Sequence, residues 1–251
     1  MVAGKAWRRH EQMLALELYC RTPFGLISKR NKDIIALSER LGRTPSSVSL
    51  KMANFSALDP TIHQKGMGNY SKSDAEIWEE FFENPTVFLD QVVKVTSAIG
   101  GGKFVADAKI PQSFGTDWEA LEGKNVPVQT TRRNHQGFFR QTLLAAYGGR
   151  CGVTRIEQPE LLVASHIKSW AGDERNRLNP RNGILLNALH DRAFDKGLIS
   201  FEDSLELITS NKLKLPEMAR PFFEDQKLHA PEKFAPDLAF LKHHRENTLV
   251  Q

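Results

Sequence analysis

Between Ala164 and Asp195 the chain brings together residue types that could hydrolyse a phosphate diester: His166, Asn182, and a helical stretch carrying His190, Asp191 and Asp195. Histidine titrates near neutrality and is the commonest general base, so His166 could take a proton from an attacking water. Asp191 and Asp195 are four residues apart and share a helix face. Paired carboxylates of this kind suit a hard divalent ion such as magnesium or manganese, which needs only one or two protein ligands and keeps open water positions. His190 is a rival ligand on the same stretch and would tolerate softer ions. Taken singly, each residue has a plainer explanation. A histidine at a strand end is often just hydrogen-bonded, Asn182-Gly183 is a turn signal, and Asp191 and Asp195 beside Arg192 and Lys196 could be a solvated face. Their order and spacing carry the weight.

The elements around them read as strand, long loop, strand, helix. Leu161 to Ala164 is a short apolar run ending at Ser165-His166-Ile167. A polar loop leads to Asn179-Pro180-Arg181-Asn182-Gly183, and Ile184 to Leu186 is a second strand. Asn187 can cap a helix over Ala188 to Asp195, closed by Gly197. A helix over Gln136 to Tyr147, stopped by Gly148-Gly149, precedes this unit. A hairpin of Leu198 to Phe201 with Leu205 to Ile208 follows it.

The N-terminal half is helical. Trp7 to Tyr19 fits an amphipathic helix broken by Thr22-Pro23-Phe24-Gly25. Asn31 caps a helix over Lys32 to Leu41, with Gly42 as its left-handed stop. Thr44 caps a second, with Pro45 at its first position and Val48, Met52 and Phe55 on one face. Ser46, Ser47, Ser49 and Lys51 are expected to look outward. Two short helices joined by a tight Gly-containing turn make a helix-turn-helix pattern, which would place Arg43, Ser46, Ser47 and Lys51 against DNA. An ordinary helical hairpin is the alternative. A third helix opens at Ser73-Asp74-Ala75-Glu76 as a capping box and packs through Ile77, Trp78, Phe81 and Phe82. Another lies near Val87 to Ile99, and Gly100-Gly101-Gly102 begins an interdomain linker. The expected division is 1–99 helical domain, 100–133 linker and 134–251 second domain.

The 251 residues carry a net charge of +4, unevenly spread. Arginine and lysine crowd 21–51, and arginine dominates 132–192, where Arg177 and Arg181 are candidates for gripping phosphate. Residues 74–90 hold acids without Lys or Arg and should face away from a polyanion. No run reaches the roughly 18 apolar residues of a membrane span, and the N-terminus lacks a secretory core, so a cytoplasmic location is expected. The two cysteines, Cys20 and Cys151, lack the paired spacing of a zinc knuckle and read as buried small hydrophobes.

The segment Phe139 to Ile199, with Ser165-His166-Ile167, then Asn179-Pro180-Arg181-Asn182-Gly183, then Asn187-Ala188-Leu189-His190-Asp191-x-Ala193-Phe194-Asp195, resembles the HNH endonucleases, in particular a bacterial restriction-type branch. The resemblance implies a ββα-metal fold and hydrolysis of DNA with one divalent ion, magnesium or manganese. It implies His166 as the base and Asn182 as the residue that holds the loop and orients that base. The helix metal position falls on His190 by the family's name, or on Asp191 and Asp195 by spacing after Asn182. Many relatives carry a ligand immediately before the base, where this chain has Ser165. The zinc-binding cysteine pairs of other branches are missing, so no structural zinc is expected and Cys151 would be a remnant. The N-terminal half more loosely resembles a winged-helix-like module.

The reading is therefore an α+β protein, with a helix-turn-helix or winged-helix-like domain followed by an HNH nuclease domain. It would cut double-stranded DNA in a restriction or defence role, without a membrane, and double-strand cleavage from a single site favours a homodimer. The alternatives are a DNA-binding regulator with an inactive HNH-like half, and a nuclease acting on RNA or single strands.

Overall fold

The computed structural model describes residues 6–62, 69–99 and 127–250, with side chains of the helix that begins at Pro127 described from 134 onward. They fall into two compact units, one on each side of the undescribed stretch. Residues 100–126 of the expected linker lie outside the described residues.

The first unit is built on α1 (Arg9–Arg21). Every residue from Glu11 to Cys20 is buried, because α2 (Lys32–Leu41), α3 (Pro45–Ser56), α4 (Lys72–Glu83) and α5 (Pro85–Ala98) all pack on it. It is a central helix rather than the one-sided one expected. Its core is Leu14, Leu16, Leu18 and Tyr19 against Ile34, Met52, Phe55, Trp78 and Phe81. Such burial stabilises by about 25 cal/mol per Å² of apolar surface.

Local signals set the boundaries. The Asn31 side chain accepts from the Asp33 and Ile34 amides, Gly42 turns left-handed at φ 60°, and Thr44 caps α3 ahead of Pro45. The cap of α4 is Ser71, which exchanges bonds with Asp74, two residues before the expected start. Asp74 itself is fully buried and accepts from Lys51 Nζ at 2.7 Å and Gln12 Nε2 at 2.8 Å.

That contact corrects the outward placement of Lys51. Position 51 lies three residues after Val48 and four before Phe55, so 3.6-residue periodicity puts it on the core face of α3. Lys51 is 6% exposed, its ammonium ion-paired to Asp74 and 5.2 Å from the Trp7 ring centre. Arg43 is likewise drawn inward, with its guanidinium 4.0 Å from the Trp7 ring centre, 2.7 Å from Glu11 Oε2 and donating to the Ala6 carbonyl. Ser46 stays exposed and Ser47 half-exposed. Among the described residues of this unit there is no strand that could form a wing.

Burial alone would raise the Asp74 carboxyl, but bonds from Lys51, Ser71 and Gln12 outweigh it and hold the group below its ordinary range. The unfolded carboxyl then protonates at a higher pH than the native one. Stability is complete above the unfolded value and is lost as pH falls toward the native one. Thermal unfolding followed by circular dichroism is expected to show this loss below about pH 4. Asp74→Asn strands the buried Lys51 ammonium, costs about 3–5 kcal/mol at neutral pH and flattens the acid limb.

The second unit begins with α6 (Pro127–Ala146), which starts within the stretch expected to be linker. Gly148 and Gly149, both at positive φ, end it. β1 (Leu162–His166) pairs antiparallel with β2 (Gly183–Asn187), Leu162 opposite Asn187 and His166 opposite Gly183. α7 (Ala188–Asp195) follows β2 and packs on both strands, giving a ββα unit. β3 (Ile199–Phe201) and β4 (Leu207–Thr209) form the expected hairpin. α8 (Leu238–Asn247) closes the unit, His244 donating from Nε2 to the Phe194 carbonyl at 3.1 Å and accepting from Ser200. At the end of α7, Gly197 has φ 64°. A Cβ there would come within 1.9 Å of the Thr248 carbonyl oxygen, so only glycine fits beneath the C-terminal strap. No helix among the described residues is long and apolar enough to cross a membrane.

Candidate active site

His166 ends β1, and the chain leaves it into a loop that returns at Asn182. Asn182 is completely buried. Its Oδ1 accepts from the Lys168 amide at 2.8 Å, and its Nδ2 donates to the Lys168 and Asn176 carbonyls at 3.1 Å each. Its own carbonyl accepts from Ile167. One side chain therefore closes both ends of the loop. Asn182→Ala would leave the Lys168 amide and carbonyl unpaired, while the Asn176 carbonyl keeps the Asn179 amide, at roughly 1–3 kcal/mol for each that stays buried. A loss of about 3 kcal/mol in urea unfolding is expected.

The loop so fixed holds His166. The ring stacks on Phe139 at 3.9 Å and 10°, meets Trp170 edge-on at 5.4 Å, and puts Nε2 2.9 Å from the Arg177 carbonyl. A carbonyl can only accept, so Nε2 bears the proton and Nδ1 presents a lone pair. Burial pushes the imidazole down to about 4, with the Arg177 carbonyl pulling the other way. The ring is thus neutral at physiological pH. His190 and His244 also rest their Nε2 on carbonyls, of Phe222 and Phe194, but their Nδ1 atoms are occupied by Asn187 and Ser200. His166 Nδ1 has no hydrogen-bond partner among the described residues. A base needs that vacancy.

α7 presents its three candidates differently. His190 is fully buried, 2.8 Å from Asn187 Nδ2 and 2.7 Å from the Phe222 carbonyl, with Phe223 against its ring. Both ring nitrogens are engaged, so ligation would require breaking one of these bonds. The same Asn187 caps α7 through the Leu189 and His190 amides and reaches Thr154 Oγ1 and Cys151 Sγ. Cys151 is buried, as expected, yet it also accepts from the Asn187 amide. Burial would raise its thiol, but bonds from His190, Thr154 and Val153 bring it down to about 6.

Asp191 faces β1 and takes a hydrogen bond from Ser165. Burial pushes its carboxyl up; the Ser165 bond and Arg192 oppose this, while Asp195 adds to it. Asp195 is largely exposed, with Arg192 at 4.0 Å. Among the described residues no three His, Cys, Asp or Glu side chains are gathered as a cage. Two neighbouring carboxylates, one of them costly to keep charged, fit a hard cation that takes its remaining ligands from water and phosphate.

The predicted phosphate contacts also change character. The Arg177 guanidinium donates to the Trp170 carbonyl at 2.6 Å and to Glu174 at 2.8 Å. Arg181 is half-buried, and its backbone ties the turn to Asn179 and Asp237. Phe139, Trp170 and the Arg177 carbonyl escaped sequence reasoning. The aromatics lay within the segment that carries the resemblance but outside its three signature stretches, and a carbonyl leaves no trace in residue identity.

Residues 151–202 match the family model described as HNH endonuclease, a segment running from Cys151 through β1, the loop, β2 and α7 to the end of β3. No curated protein matches the chain. The match supports nuclease chemistry on nucleic acid for this unit.

Proposed function

We propose that the protein is a metal-dependent endonuclease that hydrolyses duplex DNA at the β1–β2–α7 unit. The observation that carries this reading is His166, neutral, clamped between aromatic rings, its Nε2–H on the Arg177 carbonyl and its Nδ1 open. Nδ1 takes the proton of the attacking water, and the carbonyl steadies the imidazolium that forms. Asn182 acts through the loop that supplies this carbonyl. Asp191 and Asp195 would hold magnesium or manganese, with Ser165 orienting Asp191. The bound ion supplies positive charge to the phosphate and the leaving oxygen.

The helical unit contributes binding rather than chemistry. Ser46 and Ser47 remain on the outer side of α3 for DNA, whereas Arg43 and Lys51 serve the core of their own unit. A restriction or defence role suits a helical module joined to a cutter, and a homodimer would let single sites cut both strands.

A second reading, DNA binding without scission, draws on Ser165 at the place where relatives of this type carry a ligand. Plasmid DNA incubated with magnesium or manganese, with and without chelator, separates the two on a gel. The nuclease reading expects nicking or linearisation that stops with chelator. Tight binding with intact plasmid in both metals would establish the second reading. Single-stranded DNA and RNA in parallel define the substrate.

A further inference from the structure

The geometry points to Arg177 as a positioning residue for His166 rather than a phosphate ligand. The inference rests on the nuclease reading of the same site. Arg177 engages two of the three groups that hold the imidazole, the third being the stacked Phe139 ring. Its own carbonyl receives Nε2–H at 2.9 Å, and its guanidinium grips Trp170, whose ring edge abuts His166. The grip has three parts: Nε donates to the Trp170 carbonyl at 2.6 Å, Nη2 donates to Glu174 at 2.8 Å, and the guanidinium carbon sits 5.5 Å from the Trp170 ring centre.

The side chain is 26% exposed, so most of it is spent inside the loop. These contacts tie 170, 174 and 177 into one turn and fix the peptide plane that follows Arg177. The direction of that plane decides where the carbonyl points. Asn182 and the Asp173–Asn176 pair anchor the neighbouring stretches but do not contact the Arg177 carbonyl. With the guanidinium removed, the carbonyl can swing from Nε2. The imidazole proton is then free to sit on either nitrogen, and Nδ1 is no longer held as the acceptor.

Lysine cannot replace this arrangement, because the Trp170 and Glu174 contacts use two separated donors of a planar fork. A phosphate ligand behaves otherwise, since a lysine there keeps the charge and much of the binding.

The test compares wild type, Arg177→Lys and Arg177→Met in single-turnover cleavage of duplex DNA. It adds DNA binding across a salt series and nitrogen NMR of 15N-histidine-labelled full-length protein. Positioning predicts that both variants lose about 100-fold in rate, keep wild-type affinity and salt slope, and show His166 shifting from a pure Nε2–H form to a mixture. A phosphate role predicts weaker binding with the salt slope reduced by about one, a milder effect for lysine, and an unchanged His166 spectrum. Those results would overturn the inference. Arg177→Lys keeps the test open if the methionine variant fails to fold. If the wild type cuts nothing, the nuclease reading fails on its own, and the NMR comparison still decides whether Arg177 sets the imidazole.

Discussion

His166→Ala is expected to lower the rate of DNA cleavage by about 10²- to 10⁴-fold, the range contributed by a general base, with duplex affinity nearly unchanged. The ring offers the phosphate no cation, since burial holds it neutral down to about pH 4, so its removal subtracts little from binding. It does remove the only Nδ1 among the three carbonyl-anchored histidines His166, His190 and His244 without a hydrogen-bond partner among the described residues. The substitution also leaves space beside Phe139 and Trp170, so His166→Gln serves as the better-filled control. Single-turnover rates at saturating enzyme, with binding measured on the same preparations, check the prediction. Parallel loss of rate and affinity would mean that the residue only supports the fold.

Asp191→Asn is expected to lose cleavage as severely, because an ion anchored at the developing charge supplies several kcal/mol, equivalent to about 10³-fold in rate. The substitution keeps the shape of the side chain and a partner for Ser165, so stability should hold. Burial and Asp195 push the Asp191 carboxyl up, so neutralising it should, if anything, relieve the folded protein. The variant should also demand more manganese for any residual activity. Asp195→Asn acts in the same direction but more weakly, given its exposure. His190→Ala separates the two candidate ligands. It breaks the bonds to Asn187 and Phe222 inside the core, so its signature is a large fall in unfolding stability. A manganese requirement shifted by His190→Ala and untouched by Asp191→Asn would reverse the assignment.

Much of the architecture was readable because its signals are local. Asn31, Gly42, Thr44 and Pro45 delimit α2 and α3 by capping chemistry that spans four residues at most. Asn187 and Gly197 bracket α7 in the same way. The strand pair followed from two apolar runs separated by a long polar loop, with Asn182-Gly183 leading into the second. Partnerships across the sequence were not readable. Lys51 and Arg43 look like DNA ligands until Asp74 and Glu11, 23 and 32 residues away, draw them inward. His190 turns to the core because the Phe222 carbonyl lies 32 residues downstream. Ser71 rather than the expected Ser73 caps α4, and Asp74 serves α3 and α1 as well as its own helix end. Arg177 read as a surface cation, since nothing in its neighbours' identities announces a guanidinium folded onto Trp170. Charge clustering alone overstates nucleic-acid contacts whenever a polar network is buried.

Chemical rescue tests the claim about His166 most directly. His166→Gly opens a slot bounded by Phe139 and Trp170, and plasmid cleavage by this variant is measured with increasing free imidazole. A general base at position 166 predicts near-zero rate without imidazole, recovery as it is added, and recovery that fades on acidification as free imidazole protonates near neutrality. A His166→Gly protein that cuts at the wild-type rate without imidazole would contradict it.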